Sequence, residues 1–169
     1  MQHSANPVDF GDVNSIAENA GRIHGAVCER IGAYLRSNDR TEIARHALDG
    51  LVRHKLISEK EKAILGSLTA TVITTQRSVN IIEPELREIA HKMRSEGATP
   101  AALTVVGIAI DSVERLAAQN GPNSRNAVAH ADVEGAIVGG IFGFELGGPV
   151  GAGVGMLAGG AASSVAEAL

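Results

Sequence analysis

Aromatic residues are nearly absent: 169 positions hold no Trp, one Tyr (Tyr34) and three Phe (Phe10, Phe142, Phe144). A core of this chain must then be filled by Ala, Val, Ile and Leu, which suits packed helices better than a sheet sandwich. The single cysteine, Cys28, excludes an internal disulfide and fits a reducing compartment. Basic residues stop early, since all 15 Lys and Arg lie at or before Arg125. Nowhere do they cluster as phosphate binding requires, so nucleic acid is not an expected partner. No apolar stretch behind basic residues opens the chain, so no secretory signal peptide is read. The expected location is the cytoplasm when made, with membrane association or export by a route other than general secretion. Between Ala101 and Ile110 one expected helix is apolar all round, but ten such residues are too few to span a bilayer.

Charge and glycine are both concentrated at the C-terminal end. Residues 131–169 carry only Asp132, Glu134, Glu145 and Glu167, so the remaining fifteen acidic residues balance the 15 basic ones in 1–130. The net charge of −4 therefore belongs to the tail. In the same tail Gly135, Gly139, Gly143, Gly147, Gly151, Gly155 and Gly159 stand four residues apart, and Ser163 continues the row. Four residues are slightly more than one helical turn, so consecutive members lie nearly above one another. Each interior glycine costs a helix roughly 0.8–1 kcal/mol relative to alanine. Very close approach by another helix, which only glycine permits, would offset that cost, as in the small-xxx-small rows of membrane helices.

Ahead of the tail the chain reads as helices. Residues 1–13 have turn chemistry and no period, and form an irregular arm. Ile16, Ala20, Ile23, Val27, Ile31 and Leu35 keep a helical period from Asn14 to about Ser37. A second helix runs from about Arg40 to Leu56 with Ile43, Ala47, Leu48, Leu51 and Val52 on one face. Ser58 and Glu61 have capping-box spacing and open a third helix carrying Ile64, Leu65, Leu68, Val72 and Val79. Pro84 suits a first helical position and starts the fourth, with Leu86, Ile89, Ala90 and Met93 inward and Gly97 past its end. Thr99-Pro100 repeats the start signal for a fifth helix, which stops at Asn120-Gly121-Pro122. Being apolar all round between Ala101 and Ile110, this fifth helix is expected at the centre of the bundle. The expected fold is all-α: a bundle of about five helices over 14–120, a linker over 121–131 and a glycine-zipper hairpin over 132–169.

The hairpin follows from geometry. An ideal helix turns about 100° per residue, so a row at four-residue steps drifts about 40° per step and about 240° over seven glycines. One straight helix cannot present such a row to one neighbour. Splitting it at Gly147-Gly148-Pro149 leaves Gly135, Gly139 and Gly143 on one arm and Gly151, Gly155 and Gly159 on the other, each drifting only about 80°. Pro149 is poor inside a helix and good in its first turn. Helices over 132–145 and 149–167 are therefore expected, with Asp132 and Glu134 at the first N-terminus, where negative charge suits the dipole. The arms would be about 21 Å and 29 Å long against a hydrocarbon core of about 30 Å, so only the second could span.

The run Asp132-Val133-Glu134-Gly135-Ala136, through Gly139-Gly140, Gly147-Gly148-Pro149 and Gly151-Ala152-Gly153 to Gly159-Gly160-Ala161-Ala162-Ser163-Ser164, resembles the glycine-zipper segments of class II bacteriocins. It is also similar to the glycine-zipper segments of pore-forming toxins and membrane-associated bacterial proteins. The resemblance covers residues 131–169 and implies membrane permeabilisation by helix oligomers, with a lipid bilayer and further copies of the chain as partners. Two departures stand against it: this tail is acidic where such bacteriocins are usually cationic, and it follows a bundle rather than a short leader. Residues 1–130 carry no family resemblance.

Catalytic chemistry has little to stand on. The six histidines (His3, His24, His46, His54, His91, His130) include no pair at metal-ligand spacing, and no HExxH motif occurs. Arg45, His46, Asp49, Arg53 and His54 make a polar helix face of the kind usually left to solvent. Ser67 and Cys28 lack any nucleophile signature, and the tail glycines have neither the Lys-Ser/Thr nor the strand of a phosphate loop. No catalytic residue, cofactor, metal or small-molecule substrate is expected. Glu145, the only charge between Gly135 and Ser164, is either a pore or gate residue or a solvated turn residue. Two functions remain open: a membrane-active, bacteriocin-like or pore-forming protein whose hairpin oligomerises in a bilayer, and a helical interaction or assembly protein whose hairpin packs against its own bundle or a second copy.

Overall fold

The computed structural model describes residues 26, 29–34, 40–69, 78–121 and 127–168. The expected arm over 1–13, the first half of the first helix and the β-branched run after Thr69 lie outside the described residues. Every regular element among the described residues is a helix: residues 29–34, α1 (Arg40–Arg53), α2 (Glu59–Ser67), α3 (Val79–Ser95), α4 (Pro100–Asn120) and α5 (Ala127–Ala168). The all-α class is thus the observed one.

Local chemistry explains most of the ends. Helix α1 buries Ala44, Ala47, Leu48 and Leu51, spaced three and four residues apart as one helical face demands. It closes with the backbone bonds Lys55 N to Val52 O (2.8 Å) and Leu56 N to Leu51 O (2.9 Å). That Schellman geometry needs a left-handed residue, and Lys55 adopts it at φ 58°. Ser58 caps α2, accepting from Glu61 N at 3.2 Å while its own N–H donates to the Glu61 carboxylate at 2.6 Å. Thr99 caps α4 by accepting from Ala102 N, with Pro100 at the first position. Gly97, at φ 73°, closes α3 in the same manner as Lys55 closes α1.

Helix α3 departs from the sequence reading. It starts at Val79, five residues before Pro84, so Pro84 lies inside the helix and Val79 belongs to α3 rather than to the third expected helix. An interior proline costs about 3 kcal/mol. Against that, Val79 and Ile82 are 1% and 0% exposed, and burying such side chains contributes roughly 1.5–3 kcal/mol each. Burial wins, and Ser78 in extended conformation serves as the N-cap position.

The centre of the bundle is also displaced. Helix α4 buries Ala102, Val105, Val106, Ala109 and Val113, yet Gly107 and Asp111 are exposed, so it has one core face rather than a buried girth. The surrounded helix is instead the first arm of α5, where every residue from 131 to 141 is buried. Both segments are apolar, but the glycine- and alanine-rich one has the thinner cylinder, which lets neighbours close in on every side. One apolar core accordingly runs from Ile31 to Ala158 and includes Val133, Ile137, Val138 and Met156 of α5.

Helix α5 begins at Ala127, inside the expected linker over 121–131. Asp132 and Glu134 therefore sit in the second turn and beyond, not at a helix N-terminus. They are 1% and 5% exposed. Hydrogen bonds replace the expected dipole contact: the Ser112 hydroxyl donates to Asp132, and the Tyr34 hydroxyl donates to Glu134 at 3.3 Å. Gly147 (φ −151°, ψ 22°) and Gly148 (φ 60°, ψ −149°) interrupt the helical backbone, with Pro149 next. The Gly148 conformation is one that only glycine adopts without strain.

Candidate functional site: the glycine-faced arms

The two arms of α5 approach each other backbone to backbone. A Cβ placed on Gly143 would meet the carbonyl carbon of Gly151 at 2.7 Å and Cα of Gly155 at 3.0 Å. One on Gly139 would meet the carbonyl carbon of Gly155 at 2.9 Å and Cα of Gly159 at 3.1 Å. Seen from the second arm the contacts are reciprocal: Gly155 faces Gly139, Gly159 faces Gly135 at 2.8 Å, and Gly151 faces Gly143 at 3.0 Å. The opposing carbonyl oxygens lie closer still in every case. Gly135 also faces Ser163, whose Cβ would be 2.8 Å away. The pairing runs outward from Gly147 in antiparallel order, so the structure brings together all six of Gly135, Gly139, Gly143, Gly151, Gly155 and Gly159.

The neighbours at these positions are backbone atoms, which cannot rotate out of the way. That separates the row from the other glycines. Gly140 faces the flexible Met156 side chain, and Gly160 faces the Ile108 side chain at 3.2 Å and the Asp132 carbonyl oxygen at 3.3 Å, without the overlap found along the row. Gly153 has nothing within 4 Å. Gly50 of α1, to which the sequence gives no role, faces Ile141 Cδ1 at 2.9 Å and seats the first arm on α1. Its one signal was an interior helical glycine between buried positions. The Ser163 hydroxyl is buried and has no hydrogen-bond partner among the described residues.

Glu145 stands apart from the glycine faces. It is exposed, and Arg30 Nη1 pairs with its Oε2 at 2.6 Å. The Arg30 guanidinium also lies 5.5 Å from the centre of the Phe142 ring, within reach of a cation–π contact. Pro149 is exposed just past the break. On the second arm Gly153, Leu157 and Ala161, four residues apart, form an outward apolar face on which Leu157 is 63% exposed.

One buried carboxylate links distant elements. Glu61 (5% exposed) accepts from Ser58 N at 2.6 Å, from Ser58 Oγ at 2.7 Å and from Thr99 N at 2.5 Å. Burial pushes its pKa up, but the hydrogen bonds from Ser58 and Thr99 outweigh burial and hold it below its ordinary value. The start of α2 is thereby fastened to the start of α4, a long-range bond that the capping box alone does not announce.

His46, His54 and His91 are exposed, and His46 lies 3.1 Å from Glu42. Among the described residues no three His, Cys, Asp or Glu side chains converge as metal ligands. No described helix is long and apolar enough to cross a membrane. Comparison with protein-family models, curated proteins and solved structures finds no match to the chain.

Proposed function

We propose that this chain is a non-enzymatic helical interaction protein in which residues 132–167 form a hairpin packed into its own bundle. The observation that carries the reading is the use of the glycine row. Six of the seven row glycines, all but Gly147 at the break, face each other within the chain, and residues 131–141 are buried. A row spent on internal contacts is not free to join several copies in a bilayer unless the core opens first. The outward face of the second arm around Leu157 remains for a partner chain.

A second reading is the membrane-active one, in the manner of the bacteriocins and pore-forming proteins that the tail resembles. It is favoured by the absence of charge between Glu145 and Glu167, which leaves the second arm apolar on its outward face. Light scattering and native mass measurement of the full chain without detergent, beside a dye-release assay on liposomes, separate the two. A detergent-free oligomer that dissociates on Leu157→Asp and leaves liposomes intact supports the interaction reading. Dye release by the unaltered chain, lost on Gly139→Leu or Gly155→Leu, overturns it in favour of the membrane.

A further inference from the structure

A cleft of about 230 Å³ opens between α1 and the first arm of α5. Its floor is apolar, made by Ala47, Gly50, Val138 and Ile141. The absence of a side chain at Gly50 lets Ile141 approach α1 and shapes that floor. Its mouth is polar, with Arg53 at the end of α1, His54 just past it and Glu145 on the arm. Glu145 is already held by Arg30. Arg53 forms no ion pair among the described residues. Nor is it needed at the end of α1, because backbone N–H groups of His54, Lys55 and Leu56 already bond the carbonyls of Gly50, Val52 and Leu51. An unengaged guanidinium beside an apolar trough matches a molecule with an alkyl chain and one carboxylate, since the planar fork of arginine suits bidentate carboxylate binding. The volume lies below the roughly 300–1,000 Å³ of sites for drug-sized ligands, which points to one short chain.

We propose that this cleft binds a short-chain aliphatic carboxylate, its alkyl chain on Val138 and Ile141 and its carboxylate on Arg53. The site needs the first arm packed on α1 but not any particular role for the glycine pairing. Octanoate, kept below its aggregation threshold, is the probe, titrated into the full chain by calorimetry and by methyl NMR. Saturable binding at one site is expected, shifting the Ile141 and Val138 methyl signals. Arg53→Gln, a surface change, weakens it about tenfold or more, Arg53→Lys restores part, and neutral octanol binds about tenfold or more weakly. Equal binding of octanoate and octanol, or indifference to Arg53→Gln, overturns the assignment. So does a response of the same methyls to anionic phospholipid vesicles alone, which would move the site to a lipid surface.

Discussion

Two alanine substitutions of identical chemistry should have opposite signs. Gly139→Ala and Gly153→Ala each replace an interior glycine of α5, so each gains roughly 0.8–1 kcal/mol of helix propensity. At Gly153 nothing lies within 4 Å of the new methyl, and the gain stands alone. At Gly139 the methyl falls 2.9 Å from the Gly155 carbonyl carbon and 3.1 Å from Gly159 Cα. Ordinary carbon contacts need about 3.5–4.0 Å, so the arms must part by on the order of 1 Å. Overpacking costs about 1–3 kcal/mol when side chains can yield and more when they cannot; here the neighbour is backbone, and about 3 kcal/mol is the fitting value. Net of propensity, Gly139→Ala should lose about 2 kcal/mol while Gly153→Ala gains about 1. For a chain of this size that places the midpoints about 4–8 °C below and about 2–4 °C above the unaltered protein. Thermal melts followed by far-ultraviolet circular dichroism in plain buffer read both. Gly107→Ala on α4, another open position, should behave like Gly153→Ala. Equal shifts for Gly139→Ala and Gly153→Ala would refute the claim that the row glycines are there for contact inside this chain.

Glu61→Ala should cost about 2–4 kcal/mol, because it removes the carboxylate half of the α2 capping box and leaves the Ser58 and Thr99 N–H groups without their acceptor, and chemical denaturation measures it. The same carboxylate predicts acid sensitivity. With its folded pKa below the ordinary value of 4.5, its contribution is complete above that value and is lost as pH falls through the lowered folded pKa. A Glu61→Gln chain, having no charge to lose there, should show a shallower fall of stability below pH 4.5, and parallel profiles for the two chains would count against the assignment. Ser163→Ala removes a buried hydroxyl with no hydrogen-bond partner among the described residues and should raise stability by about 1 kcal/mol in the same denaturation assay. Leu157→Asp, on the exposed face of the second arm, should change stability by less than about 0.5 kcal/mol while altering association.

What was legible in the chain was what a few adjacent residues decide. Ser58 with Glu61, Thr99 with Pro100, and Gly97 after Ser95 are signals in which a side chain or a φ angle satisfies backbone groups within one turn. Pro84 shows where that logic fails. Its local preference for a helix start is worth less than burying Val79 and Ile82, and the burial is set by helices elsewhere in the chain. Asp132 and Glu134 fail in the same way. Their charge suggests a helix start, yet the helix begins at Ala127, and Ser112 and Tyr34 give the two carboxylates hydrogen bonds that let them lie inside the core. The choice between α4 and the first arm of α5 as the centre was likewise invisible, since apolar composition allows burial on all sides without saying which helix is enclosed.

The four-residue spacing of the glycines specifies a helical face that tolerates only backbone opposite it, and that requirement is met here by the chain itself. Spacing alone does not distinguish an internal partner from a second copy. The distinction lies in the residues flanking the row. Ile137, Val138 and Ile141 share the first arm with the glycines, and all three are buried. Were the glycines free to pair between copies in lipid, these bulky residues would face hydrocarbon, and Asp132 and Glu134 on the same arm would face it too. In the bundle the aliphatic side chains meet Leu51, Leu86 and their neighbours in one core, while the two carboxylates meet hydroxyl groups. Opening the arms into lipid therefore means giving up the core and the hydrogen bonds of two buried acids at once. Under the proposed interaction reading, that coupling favours the internal pairing, and a membrane-inserted form would need a separate event that first unlocks the bundle.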